Sequence, residues 1–214
     1  MLKIIKIGGG IIDNEQDLEQ FLQTFSEIKE PKILVHGGGK GASKMLNQLG
    51  IEPKMIEGRR ITDKPTLDVV TGLYAGNLNK SIVSKLQEFG CNALGLSGAD
   101  GNAIKGSKRP VKTIDYGFVG DLNDKSVNKE LFQLLIDNNI TPVVCAITHD
   151  GNGQLLNTNA DTIASTIAVA MSLENEVELN FCFAKIGVLR DVNDDTTLIP
   201  KIKETLDLQI KEED

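Results

Sequence analysis

The stretch Ile33-Leu34-Val35-His36-Gly37-Gly38-Gly39-Lys40-Gly41-Ala42-Ser43-Lys44-Met45-Leu46 decides the fold. Its apolar opening, Ile33 to Val35, has the unbroken hydrophobic character of a strand buried on both faces of a parallel sheet. Three glycines follow at once, and then Met45, Leu46 and Leu49 fall on one side of an expected helix. A strand, a glycine turn and a helix present bare backbone N–H groups and a helix N-terminus to an anion. Glycine suits the turn because a Cβ would hold a ligand off the backbone and forbid some dihedrals. The same pattern also describes a tight strand-to-helix turn with no ligand.

A second copy shifts the balance. Leu2 to Ile7 is another apolar strand, broken by Lys3 and Lys6, and it ends in Gly8, Gly9 and Gly10. Two parallel strands that end in glycine triplets can bring both triplets to one sheet edge, and parallel α/β sheets bind ligands at the carboxyl ends of their strands. Only Ile7 separates Lys6 from the first triplet, so its cation can meet a phosphoryl group there. A solvated lysine at a strand end is the plainer alternative.

The chain has 214 residues, enough for one large domain or two small ones. Its net charge of −7 argues against a nucleic-acid partner. With no tryptophan and only 4% aromatic residues, the core has to be built mainly from Ile, Leu and Val, which suits a parallel sheet. Cys91, Cys145 and Cys182 are far apart and form no C-x-x-C pair, so neither a zinc site nor a disulfide framework is indicated. No signal peptide and no apolar run long enough to span a bilayer is found, so the expectation is a cytoplasmic protein with no membrane partner.

Along the chain, Leu18, Phe21, Leu22, Phe25 and Ile28 give residues 15–29 one apolar helical face, with Asp13 or Asn14 as cap. Residues 51–62 carry Pro53, Gly58, Arg59 and Arg60 and read as a β-hairpin or irregular flap. The paired arginines are a solvated face or a clamp for a carboxylate, whose geometry the guanidinium fork matches. Residues 65–89 predict one long helix, with Pro65 in its first turn and Gly90 as its C-cap. Gly72 and Gly76 within it would let another backbone come close. A short strand is expected at Asn92 to Leu96, one or two hairpins between Asp100 and Asp121, including a β-prone piece at Val111 to Ile114, and a helix at 126–138. Ile140 to Ile147 predicts a buried strand. The turn after it holds His149, a general base or simply a polar turn residue. Asn157-Thr158-Asn159-Ala160-Asp161 then opens a helix of small residues ending at Met171, its polar side chains serving as caps or facing a site at the sheet edge. A strand at Val177 to Phe183, a turn at Lys185 to Gly187 and a charged helix from Ile202 complete the pattern.

No hydrolase triad and no metal cluster emerges. The inventory is cationic and rich in amides: Lys6, two glycine loops, Arg60 and one acid, Asp161. Phosphoryl transfer needs that inventory, because its transition state concentrates charge on peripheral oxygens and is stabilised by fixed donors. Magnesium normally comes with the nucleotide. Walker A fails, because Gly41 follows Lys40 where Ser or Thr is required. The dinucleotide fingerprint G-x-G-x-x-A does match at Gly37, Gly39 and Ala42, with Glu57 near the spacing of a ribose acid. An NAD-dependent oxidoreductase is therefore the rival reading, though it gives Lys6 and the first triplet no role. A third reading is a non-catalytic module that binds a small ligand at the same loops.

Four segments in order carry a closer resemblance: Lys6-Ile7-Gly8-Gly9, Val35-His36-Gly37-Gly38-Gly39, Gly58-Arg59-Arg60-Ile61-Thr62 and Asn157-Thr158-Asn159-Ala160-Asp161. Together they resemble the acetylglutamate kinases of the amino acid kinase family, from the first strand to about Asp191. The resemblance implies a three-layer αβα sandwich around a mostly parallel central sheet, with β-hairpin flaps over the substrate site. It implies transfer of the ATP γ-phosphoryl group to the side-chain carboxylate of N-acetyl-L-glutamate, or its N-succinyl counterpart, in arginine biosynthesis. It further implies that Lys6 stabilises the transferring group, that Gly9 and Gly38 donate N–H bonds to it, and that Asp161 orients Lys6. Gly38, Gly39, Arg60 and Asn157 would hold the amino-acid substrate. Gly8, Gly9, Lys185, Gly187 and Leu189 would line the ATP, which brings Mg2+ with it. A homodimer insensitive to arginine is expected.

The resemblance divides residues 1–214, a single amino acid kinase domain, into a substrate half of about 1–160 and the start of a nucleotide half at about 161–214. Three departures accompany it, one being that the extra N-terminal helix of the family's arginine-inhibited members is not expected here. Phe183-Ala184-Lys185 stand where the family usually shows a Ser/Thr-Asp pair. The family's D-G-M-x-x-K element, with a second catalytic lysine, would fall past Asp214, so the expectation is an intact substrate half and weak turnover.

Overall fold

The computed structural model describes residues 1–56, 59–191 and 194–200. They fall into two compact units, one of Met1–Cys182 and one that begins at Phe183. In chain order, the first unit holds β1 (Leu2–Ile7), α1 (Gly9–Ile12), α2 (Glu15–Glu27), β2 (Lys32–His36), α3 (Gly41–Gln48), β3 (Met55–Ile56), β4 (Arg59–Arg60) and α4 (Lys64–Thr71). A π-helix, Gly72–Leu78, joins α4 to α5 (Asn79–Glu88). Then follow β5 (Ala93–Leu96), β6 (Ser107–Lys108), β7 (Val119–Asp121), α6 (Lys129–Asp137), β8 (Thr141–Cys145), β9 (Ile147–His149), β10 (Leu155–Thr158), α7 (Ala160–Met171) and β11 (Val177–Cys182).

The main sheet is wholly parallel, in the order β11-β1-β2-β8-β5. Successive side chains of a strand point to opposite faces, which explains why Ile4 and Ile5 are both apolar. Leu2, Ile4, Ile33 and Val35 meet Phe132 of α6 and Ile163, Ala164 and Ile167 of α7. Ile5, Ile7 and Leu34 pack on the other face against Leu22 and Phe25 of α2 and Ile82 and Leu86 of α5. This is the expected αβα sandwich. A second sheet, β6-β7-β10-β9, combines the parallel β7–β10 pair with antiparallel β6–β7 and β9–β10 pairs. A third, two-stranded sheet pairs Met55 with Arg60 and Ile56 with Arg59, giving the expected flap.

Several expectations change in detail. Residues 64–88 are helical throughout, but the middle is a π segment rather than one uniform helix. Gly72 and Gly76 admit no neighbouring backbone: a Cβ on either would meet nothing within 4 Å. The strand expected at Ile140 to Ile147 divides at Ala146, where the chain leaves the main sheet and Ile147 joins β10. Val111 to Ile114 is not a strand, and Val111 is exposed. The helix expected at 126–138 starts later, because Asn128 caps it through Leu131 N and Ser126 is held in the preceding turn by Asn123 N. The helix expected from Ile202 lies outside the described residues.

In the second unit, Leu189 bridges Leu198, and Ile199 N donates to Val188 O at 2.8 Å. Asp194 caps the short turn that follows it, accepting from Thr196 N at 2.9 Å.

Candidate active site

Alternation along β1 places Lys6 on the same face as Leu2 and Ile4, the face covered by α7. There its ammonium meets Asp161, in the first turn of α7, with Nζ 2.6 Å from Oδ1. Asn159 caps α7 by accepting from Thr162 N at 2.9 Å, which satisfies a donor of that first turn. Lys6 and Asp161 line a cavity of about 360 Å³ together with Gly9, Gly38, Gly39, Arg60 and Asn157. Seven residues singled out from sequence therefore surround one space at the carboxyl ends of β1 and β2.

The two glycine loops touch through their backbones. A Cβ on Gly9 would come within 3.0 Å of the Gly39 Cα, so a side chain there would force the loops apart. Gly38 has no room for one because the ring of Tyr74 lies where a Cβ would project. Gly39 adopts φ +55°, a conformation L side chains rarely take. Asp13 sits beside it, and its two carboxylate oxygens accept from Lys40 N at 2.9 and 3.1 Å. Of the two caps expected for α2, Asn14 does the capping, accepting from Gln16 N and Asp17 N, and Asp13 instead secures the second glycine loop.

Arg60 comes from the flap. Its Nη2 donates to Ser43 Oγ at 2.9 Å, while Nη1 is buried with no hydrogen-bond partner. Burial pushes the Tyr74 phenol upward in pKa, and the adjacent Arg60 cation draws it back. Thr62 Oγ1 donates to the Arg60 carbonyl at 3.0 Å and accepts from Asn157 Nδ2 at 3.0 Å. Flap and β10 are thereby tied together. On the opposite side of the sheet, His36 is fully buried and approaches the Gly37 carbonyl with Nδ1 at 2.9 Å. Burial lowers its pKa to about 4, so the ring is neutral near pH 7.

Other candidates of the first unit do not line the cavity. Gly8 follows β1 and spends its N–H on Cys182 O at 2.7 Å. Lys185, Gly187 and Leu189 belong to the second unit. His149 holds the turn, accepting from Gly151 N through Nδ1 at 3.2 Å. Cys91 and Cys145 are buried, and burial pushes the Cys145 thiol up to about 12. Gly58 and Glu57 lie outside the described residues. Sequence reasoning missed Tyr74, Ser43, Asp13 and Thr62. Thr62 stood in the quoted Gly58–Thr62 segment, and only its bond to Asn157 gives it a task.

The sequence matches the Amino acid kinase family over residues 1–209. It is 54% identical over 201 residues to an acetylglutamate kinase of Parabacteroides distasonis, covering 94% of this chain and 78% of that one. To the acetylglutamate kinase of Methanopyrus kandleri it is 38% identical over 206 residues, covering 94% and 79%. Among solved structures, N-acetylglutamate synthase from Neisseria gonorrhoeae, complexed with coenzyme A and N-acetyl-glutamate, aligns with a TM-score of 0.80 at 16% identity, over 99% of this chain and 47% of that one. T. acidophilum isopentenyl phosphate kinase aligns with a TM-score of 0.62 at 16% identity, over 100% and 84%. At such identities these two likenesses speak for the fold alone.

Proposed function

The chain belongs to the amino acid kinase family, and on that premise we propose that it transfers the γ-phosphoryl group of ATP to the side-chain carboxylate of N-acetyl-L-glutamate, a step of arginine biosynthesis. The observation that carries this reading is the Lys6–Asp161 pair, 2.6 Å apart in the cavity that also holds both glycine loops and Arg60. A carboxylate oxygen of the substrate attacks the γ-phosphorus, a new O–P bond forms, and the bond to the β,γ-bridging oxygen breaks to release ADP. Negative charge spreads over the peripheral oxygens as this happens. Lys6 stabilises that charge, and Asp161 holds the ammonium in place. Backbone N–H groups of Gly9 and Gly38 add fixed donors that need no reorganisation.

Arg60 binds the α-carboxylate of the acylated glutamate, with Gly38, Gly39 and Asn157 completing the substrate side. Gly8, Gly9, Lys185, Gly187 and Leu189 line the nucleotide. ATP enters as its magnesium complex. Residues 1–160 make the substrate half, and the nucleotide half begins at 161. The protein works in the cytoplasm as a homodimer. Among the described residues no helix is long and apolar enough to cross a membrane. The dinucleotide reading leaves Lys6 and the first glycine triplet without a role.

The test measures ADP formation from ATP–magnesium with N-acetyl- or N-succinyl-glutamate, beside a titration with NAD. ADP release that depends on the acetylated substrate is expected. Tight NAD binding with no response to either acylated glutamate would overturn the reading.

A further inference from the structure

Gly38 offers its N–H to the cavity only if one peptide plane is turned the right way, and a buried histidine grips the other side of that plane. We propose that His36 is a positioning residue for the Gly38 N–H, held in the required tautomer by Asn79. This rests on the reading above, in which that N–H meets the transferring phosphoryl group.

The chain of constraint starts at a carbonyl, which can only accept. Val143 O lies 2.9 Å from Asn79 Nδ2, so the amide must present its nitrogen there. That same nitrogen is 3.0 Å from His36 Nε2. A donor facing Nε2 requires Nε2 to accept, which puts the proton of the neutral ring on Nδ1. Nδ1 then donates to Gly37 O at 2.9 Å. In a planar trans peptide the C=O and N–H point in opposite directions, and there is no cis peptide among the described residues. Holding Gly37 O toward the ring therefore sends Gly38 N–H the other way, and Gly38 lines the cavity.

The far end is closed as well. Lys80 Nζ donates to Asn79 Oδ1 at 3.2 Å and to Gly95 O at 3.1 Å. His36 and Asn79 are 0% and 1% exposed, so solvent cannot take over either partner's place. The arrangement crosses the sheet from α5 and reaches the glycine loop without touching substrate.

Two measurements on the full chain test this. The first is a nitrogen-15 spectrum of the histidine rings, of which the chain has only two. One ring is expected to carry its proton on Nδ1 and to stay unchanged as pH falls from about 8 to about 6, across the ordinary histidine range. An Nε2–H tautomer for His36, or titration near the ordinary value, would overturn the proposal. The second compares His36→Asn, which keeps an amide nitrogen near the Nδ1 position, with His36→Gln, which reaches only toward Nε2. The Asn variant is expected to keep kcat within about tenfold and the Gln variant to lose about 10²-fold, the scale of one fixed donor, with KM for ATP unchanged in both. Equal losses would overturn the role. If neither variant folds, the spectrum of the unaltered chain still decides. No transfer by a chain that does show the Nδ1–H tautomer would overturn the task given to Gly38, and the positioning role with it; the wrong tautomer in an active chain overturns the positioning role alone.

Discussion

Arg60 keeps Nη2 on Ser43 and holds Nη1 buried without a partner. A buried donor left unsatisfied costs about 1–3 kcal/mol, so a carboxylate that pairs with this guanidinium gains on two counts. Arg60→Ala is expected to raise KM for N-acetyl-glutamate by ten- to a hundredfold or more, matching about 1.5–3 kcal/mol for a lost charge-assisted contact. KM for ATP should hardly move, and an unchanged KM for the acylated substrate would return Arg60 to a solvated face. Lys6 calls for a different signature. Lys6→Met keeps the stem and leaves behind Asp161, whose side chain is 54% exposed and remains hydrated. Steady-state kinetics should show kcat down by about 10²- to 10³-fold, with a melting temperature close to the parent's. Sequence alone listed Arg60 and Lys6 as candidates and left each with a solvated alternative, because exposure is a property of what packs around a residue.

The π-helix Gly72–Leu78 is the element whose geometry the amphipathic pattern conceals. Tyr74 lies over Gly38, and Asn79 reaches His36. At 3.6 residues per turn, positions five apart would point about 140° away from each other. The i→i+5 bonding of a π segment stacks them on nearly one face, so both side chains meet the β2 end. Gly76 is exposed and its Cβ position is empty, so the widened turn bulges toward open space. Deleting Gly76 leaves Tyr74 and Asn79 four apart, about 40° from each other in a regular α-helix. A cooperative melt and retained transferase activity are expected. Deleting Ser81 instead turns Ile82 and Leu86, both fully buried, by about 100° relative to the residues before them. That variant is expected to lose its cooperative transition in circular dichroism. If both deletions behave alike, the π turn is not a removable insertion.

For the whole molecule, the buried neutral His36 couples stability to pH. Its folded pKa of about 4 lies below the ordinary 6.5. Its contribution is therefore complete above about pH 6.5, where folded and unfolded chains are both neutral at this ring. As pH falls below that, the unfolded chain takes up a proton that the folded one refuses, and stability drops by about 1.4 kcal/mol per pH unit until about pH 4. Urea unfolding at several pH values should show a loss of about 3 kcal/mol across this window from that ring, and His36→Asn should flatten it. An unchanged slope in the variant would assign the loss to other groups. The homodimer is tested by sedimentation with and without arginine: a mass of two chains in both is expected, and a hexamer or an arginine-dependent change would count against it.

The parallel sheet and its two glycine loops were legible because they are local signals. Apolar runs such as Ile33 to Val35 report burial on both faces, and the triplet Gly8 to Gly10 reports a close approach of backbone that Gly9 bears out. The pairing of Lys6 with Asp161, 155 positions apart in the chain, was legible only through the motif resemblance, because no periodicity links such distant positions. Tertiary structure alone decided the rest. It divided one apolar run at Ala146 between two sheets, since which neighbour takes the backbone hydrogen bonds depends on β10. It placed Tyr74 on Gly38 and joined Thr62 to Asn157. It also chose the tautomer of His36, because the atom that dictates it, the carbonyl oxygen of Val143, comes close only when β2, β8 and α5 have packed.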